Sequence, residues 1–236
     1  MKIVTIIGAR PQFIKAAVVS RAISSFPDIQ EVIVHTGQHF DTNMSDIFFE
    51  EMCIPKPNYN LNINGMTHGA MTGQMLEKIE SILLTEQPDW VIVYGDTNST
   101  LAGALAASKL HIRVAHIEAG LRSYNMNMPE EINRILTDRI SSVLFCPTEQ
   151  AIKNLHQEGF KQFPCTLLNC GDVMQDAALF YANKAKHPDF LLPEHFILAT
   201  LHRAENTDSP ERLQSIIAAL EEIAREMPAV IPIHPR

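Results

Sequence analysis

The chain has 236 residues, of which 46% are hydrophobic and 19% charged, with a formal net charge of −8. That length supports one large domain, or one domain and part of another. The acidic balance excludes a nucleic-acid binder working through a broad basic surface, because neutralising phosphates takes clustered Lys and Arg, though a local cationic pocket for one small anion stays possible. No run of about 18 apolar residues occurs, so no membrane span is predicted. The opening MKIVTIIGARP lacks the features of a signal peptide, and a cytoplasmic protein is expected. Cys53, Cys146, Cys165 and Cys170 form no Cys-x-x-Cys pair, so reduced thiols without a zinc site are expected.

In chain order, KIVTIIG (2–8) is rich in β-branched residues and predicts a buried strand. ARPQFIKAAVVSRAISSF has helical spacing, with Pro11 suited to a first turn. EVIVHTG (31–37) predicts a strand, 45–52 a short helix capped by Ser45, and 68–86 a longer amphipathic helix. Then come strand 90–95, the Ala-rich helix 99–110, strand 113–120, helix 129–141, strand 143–148 and helix 149–159. The stretch KQFPCTLLNCGDVMQDAALFY and the Pro/His-rich run after it read as less ordered. The pattern restarts with strand 196–205, helix 209–227 and the beginning of another strand. Apolar strands alternating with helices predict an α/β fold with doubly wound parallel sheets. A boundary near 170 is expected, giving domains 1–170 and 171–236, with the second expected to be incomplete in this chain.

In parallel sheets, ligands bind beyond the carboxyl ends of the strands. The first strand delivers Arg10 and Lys15 there, the second Gln38, His39 and Asp41. Strand 90–95 delivers Asp96, RVAHI delivers Glu118 and then Arg122, and FILAT delivers His202, Arg203 and Glu205. Five strand ends thus send polar chemistry to one edge. Each residue also has a plainer reading. Asp96 before TNST could start a helix. Glu130 and Glu131 sit where a helix N-terminus favours acids. His116, within its strand, reads as a satisfied core histidine. Glu118 follows an apolar run with no evident capping use. Gly8 before Arg10 allows close backbone approach and suits an anion site.

The first strand is followed by GARPQF, not G-x-G-x-x-G, which argues against a nicotinamide dinucleotide bound in the usual way. No P-loop, no G-x-S-x-G elbow and no H-E-x-x-H spacing occurs. Carboxylates with Arg, Lys and His, and neither a cofactor nor a metal, suit a substrate that brings its own phosphates and undergoes proton transfer beside them.

The blocks GARPQFIK (8–15), TGQHFDTNMSDIFFEE (36–51), VYGDTNSTLAGALAASKLHI (93–112), AHIEAGLRS (115–123), MPEEINR (128–134), FCPT (145–148), GDVMQDAAL (171–179) and LHRAENTD (201–208) run in order along the chain. In them the chain resembles the non-hydrolysing UDP-N-acetylglucosamine 2-epimerase family. The resemblance implies a GT-B-like pair of Rossmann-like domains with the active site in the cleft between them, a homodimer, and a UDP-sugar as substrate, for polysaccharide synthesis. It implies inversion at C2 through elimination of UDP to a 2-acetamidoglucal and re-addition. Carried over by motif, Asp96, Glu118, Glu130 and His202 match the catalytic set. Arg10, Lys15 and Arg203 match positions near the nucleotide phosphates, and Gln38, His39 and Arg122 are further candidate substrate contacts. Which carboxylate is the base stays open.

Three features depart from the family pattern. Gly8-Ala9-Arg10-Pro11-Gln12 stands where G-T-R-P-E is usual, and TGQHFD replaces a QHR-type loop. The stretch 66–73 also differs, in a region that helps bind an activating UDP-N-acetylglucosamine in the standard enzymes. These forms resemble the branch acting on UDP-2,3-diacetamido-2,3-dideoxyglucuronic acid, so both substrates stay open. A GT-B glycosyltransferase is the alternative class. A non-catalytic nucleotide-sugar regulator fits less well, because converging like charges are costly where only binding is needed.

Overall fold

Strand β1 (Lys2–Ile7) shows why an unbroken apolar run folds as a strand here. Val4 and Ile6 pack on one face of the sheet, Ile3 and Ile7 on the other. With both faces covered, alternation between apolar and polar residues disappears. The same split recurs in β2 (Gln30–His35), where Val32 and Val34 oppose Ile33, and in β4 (Trp90–Tyr94), where Val91 and Val93 oppose Ile92 and Tyr94. The computed structural model describes residues 1–38, 55–201 and 204–232. The helix expected over 45–52 lies outside them.

With β3 (Tyr59–Asn60), β5 (Arg113–Ile117), β6 (Val143–Cys146) and β7 (Thr166–Asn169), these strands form a sheet ordered β3-β2-β1-β4-β5-β6-β7. Every neighbouring pair is parallel; Ile6, for example, stands opposite Val34 on one side and Val93 on the other. Helix α1 (Arg10–Ser24) covers one face through Phe13, Ala16 and Ala17. The other face is covered by α2 (His68–Glu86) through Met75, Ile79 and Leu83, and by α3 (Asn98–Lys109) through its alanines. Helices α4 (Pro129–Ile140) and α5 (Glu149–Gln157) follow, and α5 closes a third core around Leu144 and Leu155.

Two elements correct the expectation of a less ordered stretch after 159. Thr166–Asn169 forms the edge strand β7, and Val173–Ala182 forms α6, capped by the Asp172 carboxylate on Met174 N. β7 is half polar and mostly exposed, so it carries little of the apolar signal that marks a strand. Helix α6 packs on α1, with the Arg21 guanidinium 3.3 Å from the Phe180 ring centroid and 3.2 Å from the Tyr181 hydroxyl.

The chain divides into two compact units, Met1–Lys184 and Ala185–Arg236. In the second, β8 (Ile197–Leu198) pairs in parallel with β9 (Ala229–Val230), beside the short helix α7 (Ala204–Thr207) and the longer α8 (Pro210–Ala224). No residue of α8 is buried. Among the described residues, no helix is long and apolar enough to cross a membrane.

Candidate active site

The strand order reverses between β1 and β4, and the crevice at such a reversal is where open parallel sheets bind ligands. Gly8 follows β1. A Cβ there would lie 2.0 Å from the Thr36 hydroxyl and 2.2 Å from the Ser99 hydroxyl, so only glycine lets the ends of β1 and β2 meet the start of α3. Gln12, one turn into α1, fastens them. Its side-chain carbonyl accepts from Gly8 N (2.8 Å) and Ala9 N (3.0 Å), and its amide donates to Tyr94 O (2.8 Å) and the Thr100 hydroxyl (3.0 Å). Gln38 accepts from Ser99 N at 3.0 Å and from the Ser99 hydroxyl at 2.8 Å.

Asp96 follows β4 but does not cap α3. Thr97 is the cap: its hydroxyl accepts from Thr100 N, and Thr97 N donates back to the Thr100 hydroxyl at 3.1 Å. The Asp96 carboxylate is left to face the guanidinium of Arg134, whose Nε and Nη2 lie 2.9 and 2.8 Å from Oδ2. Asn133 Nδ2 holds the Asp96 backbone carbonyl at 2.8 Å. Gly95 carries φ +62°, and a Cβ at that position would lie 3.2 Å from Glu118 Oε2 and 3.3 Å from Lys15 Nζ. Lys15 and Glu118 form an ion pair over this glycine, with side chains 9% and 22% exposed.

Glu118 has φ +71°, left-handed backbone that a non-glycine residue enters at a cost of about 1–3 kcal/mol. The turn is held because Glu118 N and Ala119 N both donate to Phe145 O, at 3.1 and 3.0 Å. Strained backbone of this kind clusters at functional sites.

Helix α4 supplies the supporting charges. Glu131 is fully buried. Its carboxylate accepts from Ser123 N and Tyr124 N and pairs with Arg134. Burial alone would raise its pKa; these bonds outweigh burial and hold the carboxyl below the usual range. Asp138 lies among His116, Gly120 and Arg122.

The comparisons decide the family. The protein-family model described as UDP-N-acetylglucosamine 2-epimerase matches residues 21–236.

The chain belongs to the UDP-N-acetylglucosamine 2-epimerase family.

It is 65% identical, over its whole length and 67% of the relative's, to a Pseudomonas aeruginosa UDP-2,3-diacetamido-2,3-dideoxy-D-glucuronate 2-epimerase. It is similar to the structure of Methanocaldococcus jannaschii UDP-GlcNAc 2-epimerase in complex with UDP-GlcNAc and UDP, with TM-score 0.87 and 48% identity. A Neisseria meningitidis UDP-GlcNAc 2-epimerase bound to UDP-GlcNAc matches with TM-score 0.88 and 33% identity. Each alignment covers all of this chain and 67% of the other, so the chain spans about two thirds of the length of these relatives. The neighbours carry the GT-B-like α/β fold that the resemblance implies.

Within this epimerase-family chain, Lys15 and Glu118 pair beside Gly95, the residue before Asp96, and Asp96 pairs with Arg134. Arg10 is exposed at the start of α1. Glu130 is half-buried in the first turn of α4, and among the described residues it has no hydrogen-bond or ion-pair partner. Arg122 is differently placed. Only 1% of its side chain is exposed, and its guanidinium is engaged by Glu158 at 2.6 and 2.8 Å and by Asp138 at 2.8 Å. Burial works against its charge, but the two carboxylates prevail and push its pKa up. His39, Asp41, His202 and Arg203 lie outside the described residues, as does the side chain of Glu205. The sequence reading missed Gln12, Asn133, Arg134 and Asp138. The last two fall at i+3 and i+7 from Glu131, so they share its helix face, and that spacing was the available signal.

Proposed function

We propose that the protein inverts C2 of a UDP-2-acetamido sugar, eliminating UDP and adding it back to a 2-acetamidoglucal. The observation that carries this reading is the pairing of two strand-end carboxylates with cations, Asp96 with Arg134 and Glu118 with Lys15, at the sheet's switch point. Elimination needs a carboxylate to take a proton from C2 or to face the developing oxocarbenium charge, and a cation beside the departing diphosphate. Asp96 and Glu118 are assigned to the sugar. Glu130, which lacks a cationic partner among the described residues, joins them as the third carboxyl. Lys15 has two further N–H donors beyond the one given to Glu118, enough to reach a phosphate oxygen. Arg10 from the first domain, with His202 and Arg203 from the stretch after residue 170, is assigned to the diphosphate. Gln38 and His39 are assigned to substrate contacts from the second strand end. Arg122 is assigned a positioning role, since both edges of its guanidinium are taken. A cytoplasmic homodimer in polysaccharide precursor synthesis completes the reading.

Two substrates fit. UDP-N-acetylglucosamine is the family's usual one. UDP-2,3-diacetamido-2,3-dideoxyglucuronic acid is favoured by the 65% identity to the Pseudomonas aeruginosa relative, against 48% for the Methanocaldococcus jannaschii UDP-N-acetylglucosamine 2-epimerase. The test is to give the full-length gene product both UDP-sugars separately and identify products by proton NMR. Epimerisation of one or both supports the reading, and the larger kcat/KM names the substrate. Release of free N-acetylmannosamine with UDP would move the protein to the hydrolysing reaction. Transfer of the sugar to an acceptor, without C2 inversion, would make it a glycosyltransferase.

A further inference from the structure

His116 and Asp138 are both fully buried, and no step of the proposed reaction uses them. His116 Nε2 lies 2.7 Å from Gly95 O, and Nδ1 lies 2.7 Å from Asp138 Oδ1. A backbone carbonyl only accepts, so Nε2 carries a hydrogen, and Nδ1 shares one proton with the carboxylate. The other oxygen, Asp138 Oδ2, accepts from Gly120 N at 3.1 Å and from Arg122 at 2.8 Å. One carboxylate on α4 thus reaches two turns. Through His116 it reaches Gly95, the residue before Asp96. Through Gly120 N it reaches the turn Glu118-Ala119-Gly120. Both turns have left-handed backbone, which Gly95 (φ +62°) and Gly120 (+78°) adopt freely but Glu118 (+71°) holds only with support from outside.

We infer that Asp138, with His116 as its extension, is a positioning hub that fixes the spacing between the Asp96 and Glu118 carboxylates. The inference rests on the epimerase reading for its catalytic consequence, but its structural content stands apart from the substrate. An asparagine at 138 has one acceptor oxygen where the carboxylate has two. Asparagine can nevertheless stand in for it, its NH2 donating to Nδ1 of a neutral His116 and its oxygen accepting from Gly120 N, so the variant that releases both turns is Asp138→Leu, of similar size and without an acceptor.

The test uses the full-length gene product. In Asp138→Leu and His116→Phe, kcat should fall by about 10²-fold, the size of effect a misplacement of about 1 Å produces. KM should stay within about threefold, because the spacing of the two carboxylates matters most in the transition state. His116→Gln, whose amide can still donate to Gly95 O, should recover at least about tenfold of what His116→Phe loses. The double variant Asp138→Leu/His116→Phe should lose little more than either single one, as members of one network do. Amide hydrogen exchange should speed up at residues 95–97 and 118–121 in Asp138→Leu, measured without any substrate. A role in packing alone would leave His116→Phe near wild-type kcat and leave exchange in the two turns unchanged, and either result overturns the inference. If the wild type epimerises neither UDP-sugar, the functional reading fails, and the exchange measurement still decides the hub.

Discussion

Asp96 reaches the site because Thr97 takes over the capping of α3. At the sequence level the two roles compete, since Asp, Thr, Asn and Ser all favour helix starts. The structure separates them by one residue: Thr97 satisfies the helix, and Asp96 turns toward Arg134. Asp96→Asn keeps the shape, loses the ion pair and removes a proton acceptor. Its kcat should drop by about 10²–10⁴-fold, the range that proton-transfer groups contribute, while UDP binding measured by calorimetry stays close to wild type. Near-normal turnover would remove Asp96 from the mechanism. Glu118 and Lys15 were legible as strand-end residues, yet their ion pair and the left-handed φ of Glu118 were not. Both depend on how far apart β1, β4 and β5 end, and no local pattern encodes that distance.

At the scale of elements, α4 is the one whose character the sequence conceals. Its apolar Ile132 and Leu136 are 40% and 46% exposed, while Glu131, Asn133, Thr137 and Asp138 are buried. A helix ordinarily turns its charged face to water. Here the charged face turns inward, because the loop 120–124 presents N–H groups that need acceptors, while the Asp96 carbonyl and carboxylate need donors. The two acids in the first turn of α4 looked like helix-terminus residues, yet Glu131 serves the loop before the helix. Replacing Glu131 with Gln lets its oxygen keep both N–H groups but turns an NH2 toward the Arg134 guanidinium in place of a carboxylate oxygen, at a cost of about 1.5–3 kcal/mol at neutral pH. The folded carboxyl is held below its unfolded value, so its stabilisation is complete above the unfolded pKa of about 4.3 and is lost as pH falls through the folded one. Urea unfolding from pH 7 to pH 3 should therefore show a larger acid-driven loss in wild type than in Glu131→Gln. Parallel pH curves would contradict this account. The long apolar strands and α2 were readable because their burial is two-sided or strictly periodic. β7 and α6 escaped notice because one is a polar edge and the other follows a Gly-Asp turn within a polar, proline-flanked stretch.

At the scale of the whole molecule, the two compact units differ in how complete their cores are. Met1–Lys184 holds a seven-stranded sheet packed on both faces, whereas the second unit pairs two short strands and buries no residue of α8. The segment 185–196, which opens the second unit, has little regular structure. Limited trypsin digestion should cut this chain at Lys184 or Lys186 first and leave a fragment of residues 1–184 or 1–186 that retains its α/β circular dichroism. Early cleavage inside β1–β6 would contradict the division. The doubly wound architecture was legible from the alternation of elements, and the site's edge followed from the rule for parallel sheets. The identity of the sugar was not, because it depends on side chains around C3 and C6 that no motif here fixes. The central claim, that these carboxylates invert C2, is tested most directly in D2O. The full-length gene product is incubated with each UDP-sugar and the C2 proton is followed by NMR. The account expects the C2 signal to disappear as deuterium enters both epimers, with UDP remaining attached in the product. Retention of the C2 proton in both UDP-sugars, with the enzyme folded and binding UDP, would contradict it.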